Sequence, residues 1–109
     1  MKKINYNKHY IDSKDLNSVI SSLKSDDLTQ GPKIKEFESA LKKKFKAKYC
    51  SLVSSGTAAL HLTGIALGWG KNDIIISSPI TFLAGPNSAV YSNAIPDFVD
   101  IDERTYNIS

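Results

Sequence analysis

"SLVSSGTAALHLTGIALG", residues 51–68, sets a short polar break, Ser54 to Thr57, between a run ending in Val53 and a longer run of small and apolar residues. Polar groups at the junction of a buried strand and a buried helix are costly unless something satisfies them. The pattern predicts a short strand at 49–53 ("YCSLV"), a turn, and a helix carrying Ala58, Leu60, Leu62, Ile65 and Leu67 that Gly68 stops. Further on, "DIIIS" at 73–77 reads as a fully buried strand ended by Pro79. Leu83 to Tyr91 reads as a helix with Pro86 near its first turn, and "AIPDFVDID" at 94–102 as a third strand. Strand, helix, strand, helix, strand calls for an α/β fold with a parallel sheet covered on both faces.

Toward the N-terminus, Leu16, Val19, Ile20 and Leu23 recur at helical spacing after Asp12 or Ser13, either of which can cap the helix. "SDDLTQGPK" then breaks the chain. Pro32 is placed as the first residue of a second amphipathic helix bearing Ile34, Phe37, Leu41 and Phe45. No internal repeat or low-complexity tract is present. The organisation predicted is a helical segment over 1–48 and the start of an α/β domain over 49–109.

The 109 residues are 41% hydrophobic and 23% charged, as in a globular protein, and the net charge of +3 is mild. The lysines of "LKKKFKAK", 41–48, read as a solvated helix face. Arg104 is the sole arginine, so a nucleic-acid surface is not expected. Cys50 is the sole cysteine, which rules out an internal disulfide and favours a reducing compartment; its apolar neighbours suggest a buried thiol. With no signal peptide and no apolar run of spanning length, a cytoplasmic protein is expected. The stop at Ser109, directly after an apolar run, suggests the front of a larger protein.

In a doubly wound sheet, ligands collect beyond the carboxyl ends of the strands, where helix N-termini direct free N–H groups at them. Ser54 to Thr57 fall there. Gly56 would let the backbone turn and approach an anion, while the Ser and Thr hydroxyls and the N–H groups of Thr57 and Ala58 could donate to it, a phosphate being the natural guest. A helix cap alone would explain the same residues. The stretch lacks the lysine of a nucleotide-binding P-loop, the spaced glycines of a dinucleotide site and the glycines of a nucleophile elbow. Phe82, after the second strand, either stacks on a flat ring or fills the core. Asp100 and Asp102 cap a turn or pair with a base, and no metal site is expected. His9 and His61 read as solvent-facing or locally hydrogen-bonded.

The ordered set "TQG", "SSGTAAL", "SPITF" and "PDFVDID" resembles the opening of the DegT/DnrJ/EryC1/StrS sugar aminotransferases, which use pyridoxal 5'-phosphate. The resemblance implies the large domain of the type I aminotransferase fold, a three-layer α/β/α sandwich with a mostly parallel sheet. It implies that Ser55, Gly56, Thr57 and the Ala58 amide cradle the cofactor phosphate and that Phe82 stacks on the pyridine ring. Leu28, Thr29 and Gly31 of "LTQG", with Tyr6, would serve the nucleotide-sugar side. The lysine that bonds the cofactor in the family and the carboxylate against the ring nitrogen match nothing up to Ser109, so the 109 residues alone should not catalyse. A homodimer with active sites at the subunit interface is implied. The wording of residues 4–31 most resembles members that use glutamate to aminate a UDP-linked 4-keto-6-deoxy-N-acetylhexosamine on the route to pseudaminic acid. A dTDP- or GDP-linked sugar is the alternative substrate, and a non-enzymatic α/β protein binding a phosphorylated ligand or a partner is the alternative class.

Overall fold

The computed structural model describes residue 5 and residues 7–109. They form two compact units, one ending at Leu52 and one running from Val53 to Ser109.

The first unit contains helices α1, Ser13–Leu23, and α2, Pro32–Phe45. Asp12 begins α1 by a reciprocal capping box. Its carboxylate accepts from the N–H groups of Lys14 and Asp15 at 2.7 and 3.1 Å, and Asp15 accepts from the Asp12 N–H at 3.0 Å. Three backbone donors at the helix start are thereby satisfied. In α2, Pro32 occupies the first turn, where a missing N–H costs nothing, and Lys42, Lys43 and Lys44 in the last turn suit the negative end of the helix dipole. Neither helix buries a residue among those described.

The second unit contains α3, Gly56–Ala66; β1, Ile74–Ser77; α4, Ala84–Tyr91; and β2, Ile95–Phe98. Both helices end in the same hydrogen-bond pattern. After α3, Trp69 N–H donates to Gly64 and Gly68 N–H to Ile65, with Gly68 at φ +74°; after α4, Ala94 N–H donates to Ala89 and Asn93 N–H to Val90, with Asn93 at φ +57°. Glycine and asparagine are the residues that take this left-handed position at least cost. The two strands pair in parallel, Ile74 opposite Ile95 through Ser77 opposite Phe98. The N–H groups of Ile95 and Val99 reach back toward the β1 side, to Asp73 and Ser77. By alternation the nitrogen of Pro96 lies on the outer edge, where proline removes no bond from the ladder.

Helix α4 packs against α3 and against both strands. The core is made of small side chains, Ala84, Ala89 and Ala94, with Ser88 and Ser92. Gly64 lets α3 come close: a Cβ there would lie 2.6 Å from Ser92 Oγ and 2.6 Å from the Trp69 ring. Ser92 Oγ is buried at this contact without a hydrogen-bond partner.

Three expectations are corrected. Residues 49–53 form no strand: the sheet among the described residues has two strands, and a stretch of good strand composition stays irregular when no neighbour completes its ladder. Cys50 is accordingly half-buried rather than a core thiol. Nor is 73–77 a fully buried strand: within the second unit α4 packs on the sheet from one face. Ile75 and Pro96 are half-buried, whereas Ile74 and Ile76, which point to the opposite face, are exposed.

Candidate functional site

Ser55 is the N-cap of α3, in extended backbone, and its Oγ accepts from the Ala58 N–H at 3.1 Å. The Ala58 amide is therefore engaged within the chain. The Ser55 hydroxyl still has its own proton to donate. The N–H groups of Gly56 and Thr57, first in the helix, have no acceptor among the described residues, and the Thr57 side chain adds a hydroxyl. Gly56 does not have a positive φ, and a Cβ on it would meet nothing within 4 Å. Its lack of a side chain is thus not required by the turn; it leaves open space over the helix end. Two free amides and two hydroxyls at the positive end of a helix can receive an anion.

Phe82 lies in the loop between β1 and α4 and is 79% exposed. It fills no core among the described residues, and its faces are free to stack. The loop is braced by Ser78, whose Oγ accepts from the Ile80 N–H at 3.1 Å. Sequence reasoning passed over Ser78, although a serine before Pro79 is a turn signal.

In the first unit, Leu28 and Thr29 are exposed and Gly31 is half-buried as the N-cap of α2. A Cβ on Gly31 would lie 2.5 Å from the carbonyl oxygen of Asp27, so the turn admits only glycine without shifting. Gln30 sits at φ +53°. Asp27, Gln30, Gly31, Pro32 and Lys35 line an open recess of about 270 Å³. Leu28 and Thr29 do not line it, and Gln30 and Lys35, not singled out in the sequence, do. Tyr6 lies outside the described residues.

Asp102 caps a turn, its Oδ1 accepting from the N–H groups of Arg104 and Thr105 at 3.0 and 2.8 Å, and Asp100 Oδ1 accepts from its neighbour Ile101 at 2.8 Å. The N–H and hydroxyl of Thr105, then the N–H of Arg104, hold the Asp102 carboxyl below its ordinary value, against a slight opposing desolvation. His61, half-buried, meets Tyr91 edge to face with ring centres 5.4 Å apart. No helix among the described residues is long and apolar enough to cross a membrane.

Residues 9–109 match the DegT/DnrJ/EryC1/StrS aminotransferase family, and the chain belongs to it. Among curated relatives, the UDP-4-amino-4,6-dideoxy-N-acetyl-beta-L-altrosamine transaminase of Campylobacter jejuni serotype O:23/36 is 39% identical over 98 residues, 90% of this chain and 26% of that protein. The GDP-perosamine synthase of Escherichia coli O157:H7 is 37% identical over 81 residues, 74% of this chain and 22% of that protein. Among solved structures, the putative sugar aminotransferase Spr1654 from Streptococcus pneumoniae, in its PLP form, superposes with a TM-score of 0.86 at 29% identity, over 97% of this chain and 27% of that one. The same protein is known in a PMP form. The chain spans about a quarter of the length of these relatives. The described residues are a partial α/β fold with a parallel sheet, as these neighbours require.

Proposed function

We propose that the full-length chain is a pyridoxal 5'-phosphate-dependent aminotransferase that moves the amino group of glutamate to C4 of a UDP-linked 4-keto-6-deoxy-N-acetylhexosamine, a step toward pseudaminic acid. The observation that carries this reading is the N-terminus of α3, with the free amides of Gly56 and Thr57, the hydroxyls of Ser55 and Thr57, and open space where a Gly56 Cβ would stand. These groups suit the cofactor phosphate: N–H and O–H donors at a helix start stabilise its negative charge. Ala58 contributes indirectly, by fixing the Ser55 side chain. Phe82, with its ring exposed, supplies a stacking surface for the pyridine. The cofactor, when bound, serves as carrier of the amino group and electron sink.

Tyr6, Leu28, Thr29 and Gly31 are assigned to the nucleotide-sugar side, and the recess beside Gly31 adds the Lys35 ammonium, a suitable partner for a diphosphate. The choice of a UDP sugar is supported by the relative named an altrosamine transaminase; the relative named a GDP-perosamine synthase makes a GDP sugar the nearest competitor. In this reading residues 49–109 open the cofactor-binding domain and 1–48 form the helical segment ahead of it. The protein acts in the cytoplasm as a homodimer.

The test is an assay of the full-length chain with pyridoxal phosphate, glutamate and, separately, UDP-, dTDP- and GDP-linked 4-keto sugars, following 2-oxoglutarate release. The highest kcat/KM is expected with the UDP-linked N-acetylhexosamine. Preference for another nucleotide would overturn the substrate, and cofactor binding without turnover on any of them would leave a non-enzymatic binding protein.

A further inference from the structure

One side-chain hydrogen bond among the described residues joins groups far apart in the chain. The backbone N–H of Leu52 donates to Glu38 Oε1 at 3.0 Å, across fourteen residues and in a part-buried setting. Each of the others spans four residues or fewer. Glu38 stands in the middle of α2 with Lys35 three residues before it and Lys42 four residues after it, both at distances that favour ion pairs on a helix surface. It pairs with neither; the salt bridge among the described residues joins Lys33 and Glu36. The carboxylate is committed instead to a peptide N–H that has no sheet ladder to receive it, because residues 49–53 take no part in the sheet.

Leu52 stands two residues before Ser54. A charge-assisted bond to its peptide removes backbone freedom from the chain entering the Ser54–Thr57 loop. We infer that Glu38 is a positioning residue for that loop, acting through the Leu52 peptide rather than on the anion, so that the donors of Ser55, Gly56 and Thr57 are set in place before the phosphate arrives. Preorganisation of this kind raises affinity by lowering the entropy lost on binding. The inference rests on the reading of the loop as the cofactor's phosphate cradle.

The experiment compares the full-length chain with its Glu38→Ala and Glu38→Gln variants. It measures pyridoxal phosphate affinity by equilibrium dialysis, hydrogen exchange at the Leu52 amide, and the melting temperature of the cofactor-free form. Glu38→Ala is expected to raise the Kd about tenfold, as loss of a hydrogen bond to a charged acceptor would, and to speed exchange at Leu52. Glu38→Gln keeps an acceptor oxygen and is expected to restore most of both. A Kd unchanged in Glu38→Ala, or lost equally in both variants, would overturn the positioning role, as would a lowered melting temperature with an unchanged Kd. If Glu38→Ala does not fold, Glu38→Gln decides: affinity and Leu52 protection near the wild type support the role, and loss of affinity overturns it. A wild-type chain that fails to bind pyridoxal phosphate overturns the cradle reading itself, whereas wild-type binding with an indifferent Glu38→Ala removes only the inference about Glu38.

Discussion

Phe82 illustrates what a single residue reveals in sequence and what it withholds. An aromatic after a buried strand is compatible with a core position or a stacking one, and nothing in "SPITF" separates them. At 79% exposed, Phe82 fills no core among the described residues and leaves its faces open. Replacing Phe82 with Leu is therefore expected to weaken pyridoxal phosphate binding while leaving the melting temperature of the cofactor-free protein unchanged; a large drop in melting temperature with intact affinity would return Phe82 to the core. Ser55 was legible as a cap and as a donor, and its geometry allows both, since accepting from Ala58 leaves its proton free. Asp102 has a consequence in acid. Its carboxyl is held below the ordinary value of 3.8, chiefly by the Thr105 N–H, so the turn is stabilised in full above that value and loses this contribution as the pH falls through the lowered one. The protection of the Thr105 and Arg104 amides, measured against the intrinsic exchange rate at each pH, should fall as the pH drops below 3.8, and Asp102→Asn, which cannot ionise, should remove that acid dependence. Because Asp102 is exposed, the effect should be confined to this turn.

At the level of elements, the helices were legible because their ends are written in side chains: Asp12 with Asp15, Pro32, Ser55, and Gly68. The strand expected at 49–53 was not, since strand composition states a capacity to pair and says nothing of whether a partner is present. Gly64 was missed for a related reason. Within "HLTGIALG" it looks like an ordinary weak spot in a helix, and its role is visible only from Ser92 and Trp69 across the contact. Gly64→Ala sets two effects against each other. Alanine gains about 1 kcal/mol of helix propensity over glycine. Against it, a Cβ 2.6 Å from both Ser92 Oγ and the Trp69 ring forces α3 away from α4, and overpacking of this kind costs about 1–3 kcal/mol. The clash should prevail, lowering the denaturant midpoint in a titration followed by the fluorescence of Trp69, the sole tryptophan. An unchanged or raised midpoint would show that the helices can separate at no cost.

For the molecule as a whole, the telling quantity is what remains uncovered. The largest fully buried side chain is that of Ser88, while Ile74, Ile76, Ile95 and Phe98 in the sheet each keep about half or more of their surface exposed. Periodicity identified these apolar faces from sequence. It could not show how much of them the described residues leave open, because covering a face depends on segments elsewhere in the fold. A core of this size offers little apolar burial to offset chain entropy. The 109-residue chain by itself is accordingly expected to self-associate in sedimentation experiments and to melt without a cooperative calorimetric transition; a monomer with a sharp transition would contradict this. Such association would have a direction. With its nitrogen on the outer edge of β2, Pro96 leaves a gap in the row of donors that an arriving strand would meet, whereas the outer edge of β1 has no proline to interrupt it. Sheet growth, where it occurs, is therefore expected to be polar, starting beside β1 rather than β2, so that one imino acid makes a two-strand sheet extensible from a single side.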